Sequence, residues 1–366
     1  MPRFSISPSL RSWVEVDSDA LRHNLALVRR TVGPRPEILA VVKANAYGHG
    51  TEPVARALAH DVAAFGVANL FEARAVSAAG TGRDIMLLSP CLPSEREAAV
   101  AEGFIVTVSS AEEAGEFAAC GDARVNFKVD TGMGRVGAWW SRAEQELRRI
   151  AGKVRIHSIS THLPCADEDE EFTRGQLEGF DRLAGTLRQV APGAKIHSLN
   201  SAGILKFPEY AAEIVRAGLV LYGISPLPEF QSECRPALAW KARVTLVKEL
   251  PAETGVCYGR TFLTTRPTRT AVLAVGYADG FPRQVSGKGA CVLIRGTRCP
   301  VLGRVTMDQV VVDATAAGEI SAGEEAVILG SQDRETIAVG ELAAQADTIS
   351  WDIFTGIKSR VARVYP

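Results

Sequence analysis

Lys43 ends an apolar run, residues 38–42, and a turn of small residues follows it: Ala44, Asn45, Ala46, Tyr47, Gly48, His49 and Gly50. A buried strand that stops at a lysine presents an amine to a pocket. Desolvation favours the neutral amine, a nucleophile toward a carbonyl. The plainer alternative is a lysine that caps a strand in solvent. Tyr47 nearby, and Gly48 and Gly50 that would let a backbone approach a ligand, favour the chemical reading.

Other chemistry-bearing residues fall at the ends of apolar runs. Arg135 lies in Asp130-Thr131-Gly132-Met133-Gly134-Arg135, a loop whose glycines could hold a guanidinium close to a ligand carboxylate. A surface ion pair is the alternative for that arginine. His162 follows Thr161 and fits a metal ligand, a general base or a packed ring; no His or Cys at ligand spacing supports a metal. Arg216 stands among Ile214, Val215 and Leu219, where a charge needs a buried partner.

The elements that must position these groups alternate. Strands are expected at 37–42, 63–67, 84–88, 104–107, 124–129, 154–160, 195–199 and 213–215. Helical spacing fills most gaps, at 20–30, 52–59, 70–79, 95–101, 111–119, 142–150 and 172–190. Eight such units predict an α/β fold, a (β/α)8 barrel over 1–236, with an open doubly wound sheet as the alternative. Lys43, Lys128, Arg135, His162, Ser201 and Arg216 then all lie at or just past strand ends, where barrel sites lie. Ser201 and the Gly218 amide follow strands seven and eight, a common phosphate position. Past Pro236 the pattern becomes mostly β over 237–366. Strands are expected at 238–250, 270–276, 290–294, 300–305, 310–313 and 325–329, and a helix at 339–346.

The bulk numbers narrow the partners. With 41 basic and 42 acidic residues the net charge is −1, which favours neither nucleic acid nor a membrane surface. Seven cysteines without a C-x-x-C pair point to a reducing, cytoplasmic setting with no disulfide framework or metal cage. Residues 1–10 hold no apolar leader segment, and no apolar run is long enough for a membrane span.

The run Val41-Val42-Lys43-Ala44-Asn45-Ala46-Tyr47-Gly48-His49-Gly50 resembles the pyridoxal-phosphate attachment motif of the alanine racemase family over all ten residues. Val275-Gly276-Tyr277-Ala278-Asp279-Gly280 and Gly303-Arg304-Val305-Thr306-Met307-Asp308-Gln309 resemble two further motifs of that family, and Val256-Cys257-Tyr258-Gly259 its second catalytic segment. The resemblance implies pyridoxal 5'-phosphate as an internal aldimine on Lys43. It implies Tyr47, Ser201, Gly218 and Leu219 at the phosphate, His162 against the pyridine ring and Arg216 at its nitrogen. It also implies Arg135 at the substrate carboxylate, braced in some members by a carbamylated lysine like Lys128. Tyr277, Met307 and Asp308 would lie near the substrate and Tyr258 would be a second base, all delivered from the partner subunit of a head-to-tail homodimer. From composition alone, a half-buried strand tyrosine is the better reading of Tyr258.

The implied activity is interconversion of L- and D-alanine for cell-wall peptidoglycan. Lys43 would serve the D-alanine face and Tyr258 the L-alanine face. A free phenol titrates near pH ~10, so such a base requires cationic neighbours, Arg135 among them. A permanently protonated Arg216 leaves the pyridine nitrogen unprotonated, which favours racemisation over transamination or decarboxylation. Trp351 departs from the family, which usually carries a phosphate-binding tyrosine there, and Thr306 stands where many members have cysteine. Small pockets discriminate hydroxyls weakly, so serine is a candidate secondary substrate. The rival readings are a barrel-type pyridoxal-phosphate decarboxylase and a non-catalytic pyridoxal-phosphate-binding protein.

Overall fold

The computed structural model describes Ser7 and residues 9–366, so the leader reading over residues 1–10 falls mostly outside it. Contacts divide the chain into two units. One holds Asp19–Ala46 and Gly50–Arg235; the other holds Ser7 and residues 9–18, Tyr47–His49 and Pro236–Pro366.

The first unit is a (β/α)8 barrel. Its parallel strands are Glu37–Val41, Ala64–Val67, Asp84–Leu87, Ile105–Val108, Arg124–Asp130, Arg155–Ser160, Lys195–His197 and Ile214–Ala217. The eighth pairs with the first, and pairing then runs in sequence order to the seventh. Between the seventh and eighth strands the Arg216 amide donates to the Leu199 carbonyl at 3.1 Å. The first four strands and the eighth are largely apolar, because both faces are covered. Several loops at the carboxyl ends are fixed by helix caps. Asn69, Ser110, Asp169 and Asn200 each accept the backbone N–H three residues on, which starts the next helix at a set point.

The second unit is built on one long strand, Leu238–Leu250, whose alternating burial packs one face against the core. It pairs with Ser12–Val16, Glu325–Gln332 and Thr268–Leu273. The last strand, Ala362–Val364, runs parallel to Ser12–Val16. Trp13, Trp240 and Phe281 fill the core.

Three features differ from the sequence reading. Residues 12–16, grouped with the barrel over 1–236, form a strand of the β unit, because their partners are 238–242 and 362–364. The strand expected at 300–305 is displaced to Thr297–Pro300. Arg295 (φ 50°) and Gly296 (φ 67°) close a two-residue turn, so pairing must resume at Thr297 opposite Ile294. The short connection after Asn200 is itself helical, Ser201–Lys206.

Candidate active site

Lys43 stands just past the first barrel strand, and the backbone after it turns left-handed. Ala44, Asn45, Ala46 and Tyr47 all have φ between 50° and 55°. Each costs roughly 1–2 kcal/mol for an L-residue, so the turn needs outside support. Glu72 accepts the Ala44 N–H at 2.7 Å, Val42 O accepts from Ala46 at 2.9 Å, and Asn45 Oδ1 accepts from Thr51 at 3.0 Å. Behind the strand end, the Tyr222 hydroxyl donates to Val41 O at 2.9 Å. Burial first, and then the Arg135 guanidinium, lower the Lys43 pKa from its ordinary value; Glu72 opposes them. The shift runs toward the neutral amine.

Arg216 is buried on the eighth strand, and its partners are not acids. Its Nη1 donates to His197 Nδ1 at 2.8 Å and His197 O at 3.1 Å. Its Nη2 bonds Ser198 O at 2.8 Å, Thr161 O at 2.9 Å and His162 Nδ1 at 3.2 Å. Five neutral acceptors solvate one cation. Burial lowers its pKa only to about 10, so the charge persists at neutral pH. Among the described residues none takes the Nε–H, the donor left for a ligand. Because arginine only donates, both histidines must offer Nδ1 as an acceptor. His197 Nε2–H then faces Asn126 Oδ1 at 3.2 Å, and Ser158 donates to the same oxygen at 3.1 Å.

Burial, Arg216 and Lys128 drive the His162 pKa down to about 2, with Arg135 and Lys43 adding to it. The ring is therefore held in its neutral form, which suits a packed ring better than a cation. Lys128 is likewise lowered well below its ordinary value, by burial, Arg216 and Arg135. The Arg135 and Arg216 guanidiniums give the site a positive field suited to an anionic ligand.

The phosphate position predicted from strand order holds a defined donor. The Gly218 and Val220 amides donate to Ser201 Oγ at 3.1 and 3.4 Å. That oxygen's lone pairs are engaged, so its own O–H is free to donate outward. Leu219 opens the short 3-10 turn Leu219–Tyr222 beside it.

The remaining predicted residues lie in the β unit. Tyr258 starts a tight turn at the tip of a hairpin, Gly255–Val256 with Phe262–Leu263, and is 72% exposed. The Gly276 backbone lies so close to Thr306 O and Met307 O that a Cβ would sit within 2.4 Å of both. Tyr277 and Met307 are therefore locked together, with the Tyr277 amide on Thr306 O at 3.1 Å. Asp308 is held by Arg360 Nη2 at 2.8 Å. Gly303 approaches Val256 O in the same way, so all three motif segments share one region.

Tyr47–His49 also packs in this unit. Gly48 does not open room for a ligand, as its sequence setting suggests. It lets the backbone touch helix Ser350–Gly356, where a Cβ would sit 2.2 Å from Phe354 O. That helix carries Trp351. Arg363 Nε donates to Gly48 O at 3.1 Å and Tyr365 Oη to His49 O at 2.9 Å. Burial pushes the Tyr47 hydroxyl up to about 12, so it stays a neutral donor.

Sequence reasoning missed His197, Asn126, Glu72 and Arg363. Glu72 had a readable signal, the Asn69-x-x-Glu72 start of a helix.

Comparison with known proteins decides the family. Profiles for the alanine racemase N-terminal domain and C-terminal domain match residues 16–226 and 237–365. The chain belongs to the alanine racemase family. An alanine racemase of Methylacidiphilum infernorum is 40% identical over 100% of this chain and 95% of its own length. The crystal structure of alanine racemase from Streptomyces lavendulae superposes with a TM-score of 0.89 at 36% identity, covering 98% of this chain and 97% of that one. A Bartonella henselae alanine racemase with covalently bound pyridoxal phosphate gives 0.88 at 28% identity, over 97% and 99% of the two chains.

Proposed function

We propose that this chain interconverts L- and D-alanine with pyridoxal 5'-phosphate as cofactor, as a homodimer with composite sites. The observation that carries the reading is the buried Arg216 cation with only neutral partners and a spare Nε–H. It suits a ring nitrogen that must stay unprotonated, where an acid would suit one that must be charged.

The residues present fit the cofactor. Lys43 would attach it, Ser201 O–H and the segment at Gly218 and Leu219 would hold its phosphate with Tyr47 and Trp351, and neutral His162 would lie against its ring. When bound, the cofactor supplies an electron sink that acidifies the substrate Cα–H. Lys43 Nζ, whose pKa burial and Arg135 lower, takes or returns the proton on the D-alanine face. Tyr258 Oη does so on the L-alanine face. Arg135 forks onto the substrate carboxylate, and Met307 and Tyr277 border the substrate.

Exposed apolar residues support the second copy. In the barrel unit Phe71, Leu92, Trp139, Trp140 and Phe172 are the large exposed ones, and each follows the carboxyl end of a strand. In the β unit Tyr258, Phe262, Leu263, Tyr277 and Met307 are exposed around the hairpin and motif loops. Two such patches on one chain fit a closed dimer in which each covers the other.

Among the described residues no helix is long and apolar enough to cross a membrane, and all seven cysteines are free. Both fit a cytoplasmic enzyme supplying D-alanine for peptidoglycan. Polarimetry on L-alanine tests the reading: rotation should decay to zero with no product but D-alanine. Released carbon dioxide would point to a decarboxylase, and unchanged rotation to a binding protein. The same assay with L-serine sets the substrate range.

A further inference from the structure

The loop that carries Arg135 is organised around a single carboxylate. Asp130, the last residue of the fifth barrel strand, is only 6% exposed. Its Oδ1 accepts the amides of Gly132 and Met133 at 2.9 Å and of Gly134 at 3.1 Å. Its Oδ2 accepts the amide of Arg135 itself at 2.9 Å. Four consecutive N–H groups converge on one anion, a nest closed by a side chain from its own strand.

The far end of the loop is tied to the same place. Gly137 (φ 128°) passes so close that a Cβ would lie 2.6 Å from Asp130 N, and Ala138 and Trp139 pair with Val129 and Asp130. The loop therefore leaves the strand at Asp130 and returns to it. In between, Gly132 (φ 140°) and Gly134 (φ 68°) supply conformations that turn successive amides inward. Burial would raise the Asp130 carboxyl; the four amides outweigh it and keep it below the usual carboxylate range. Arg135, by contrast, has an exposed side chain, and among the described residues no acid pairs with it.

We propose that Asp130 is a positioning residue for substrate recognition: its carboxylate fixes the backbone at Arg135 so that the guanidinium is pre-aimed at the carboxylate of a small amino acid. The inference rests on Arg135 being the carboxylate-binding group. An amide at position 130 keeps the shape but turns an NH2 toward one of four donors. The loop then loosens while the Lys43 end of the site keeps its own supports, Glu72 and Tyr222. The loss falls on holding the carboxylate and not on the proton transfers.

The test uses the cofactor-loaded enzyme and propionate, which is alanine without its amine, with binding read from cofactor absorbance. Asp130→Asn should raise KM for L-alanine and Kd for propionate together by about tenfold or more, with kcat changed less than about threefold. Gly134→Ala leaves the carboxylate in place and meets nothing within 4 Å, so it should fold. It strains one arm of the nest and should raise both constants several-fold. If Asp130→Asn does not load cofactor, Gly134→Ala carries the test alone. Constants within about twofold of wild type in both variants, while Arg135→Ala raises them, would overturn the role of Asp130. A parallel fall in kcat, kcat/KM and thermal stability would also overturn it, marking a scaffold residue only. If Arg135→Ala leaves propionate binding unchanged, the role of Arg135 fails and the inference falls with it.

Discussion

The two units hold their candidate site residues in opposite ways. In the barrel, Lys43, His162, Ser201 and Arg216 sit at strand ends inside a web of side-chain hydrogen bonds, and Lys43, His162 and Arg216 are shifted in pKa by their surroundings. In the β unit, Tyr258, Tyr277 and Met307 are exposed and placed by backbone contacts at Gly276 and Gly303. One region is electrostatically finished within a single chain. The other is rigid but bare. A group whose working environment belongs to another surface has to stay uncovered until it arrives there.

The contrast breaks first at Lys43. Lys43→Ala should lose the cofactor absorption band and all measurable racemisation; retained turnover would remove the barrel half of the mechanism. Tyr258→Phe comes next. It should load cofactor normally yet lose about 10²–10⁴-fold in turnover in both directions, with unequal loss of isotope exchange at Cα. Normal activity there would sink the two-base reading. Mixing these two dead variants under subunit exchange tests whether the exposed half serves a second copy. Hybrid dimers would hold one intact site, restoring roughly a quarter of wild-type activity. No recovery would place Tyr258 and Lys43 in the same subunit's site.

Smaller effects sharpen the comparison. Gly48→Ala drives a Cβ into the Phe354 carbonyl and should cost about 3 kcal/mol, read as a lower thermal midpoint with weaker cofactor binding. Acid should act chiefly on the barrel. His157, His162 and His197 are all held below the ordinary histidine value, in each case first by burial. Between about pH 6.5 and the lower folded values the unfolded chain binds the extra protons. Stability is thus full above about pH 6.5 and declines below it, by about 1.4 kcal/mol per pH unit for each histidine. Urea midpoints that stay flat from pH 7 to pH 5 would refute this. Tyr365→Phe removes one bond to His49 O and should cost only about 1 kcal/mol.

Much of this was legible in the residues. The barrel strands are short apolar runs between helical repeats, and buried parallel strands must look that way. Lys43, Arg135 and Arg216 stood out as cations at run ends. The left-handed turn did not, because Asn45 alone favours that region and Ala44 and Ala46 do not; Glu72 and the strand end support it. His197 was hidden because a polar residue on an inward face is indistinguishable in sequence from one facing solvent. The strand at Ser12–Val16 was unreadable for a different reason: its pairing partners lie more than 200 positions away.

That distant pairing bears on biosynthesis. A strand that precedes every barrel strand runs beside one that follows them all, Trp13 against Ala362. The barrel's strands all precede Pro236 and can pair while synthesis continues, but the β sheet cannot acquire its edge strand until residues 362–364 have been made. Arg363 and Tyr365, which grip Gly48 and His49, arrive with that final strand. The segment just after the lysine is therefore secured only once residues 363–365 are in place, and a chain cut before them cannot complete it.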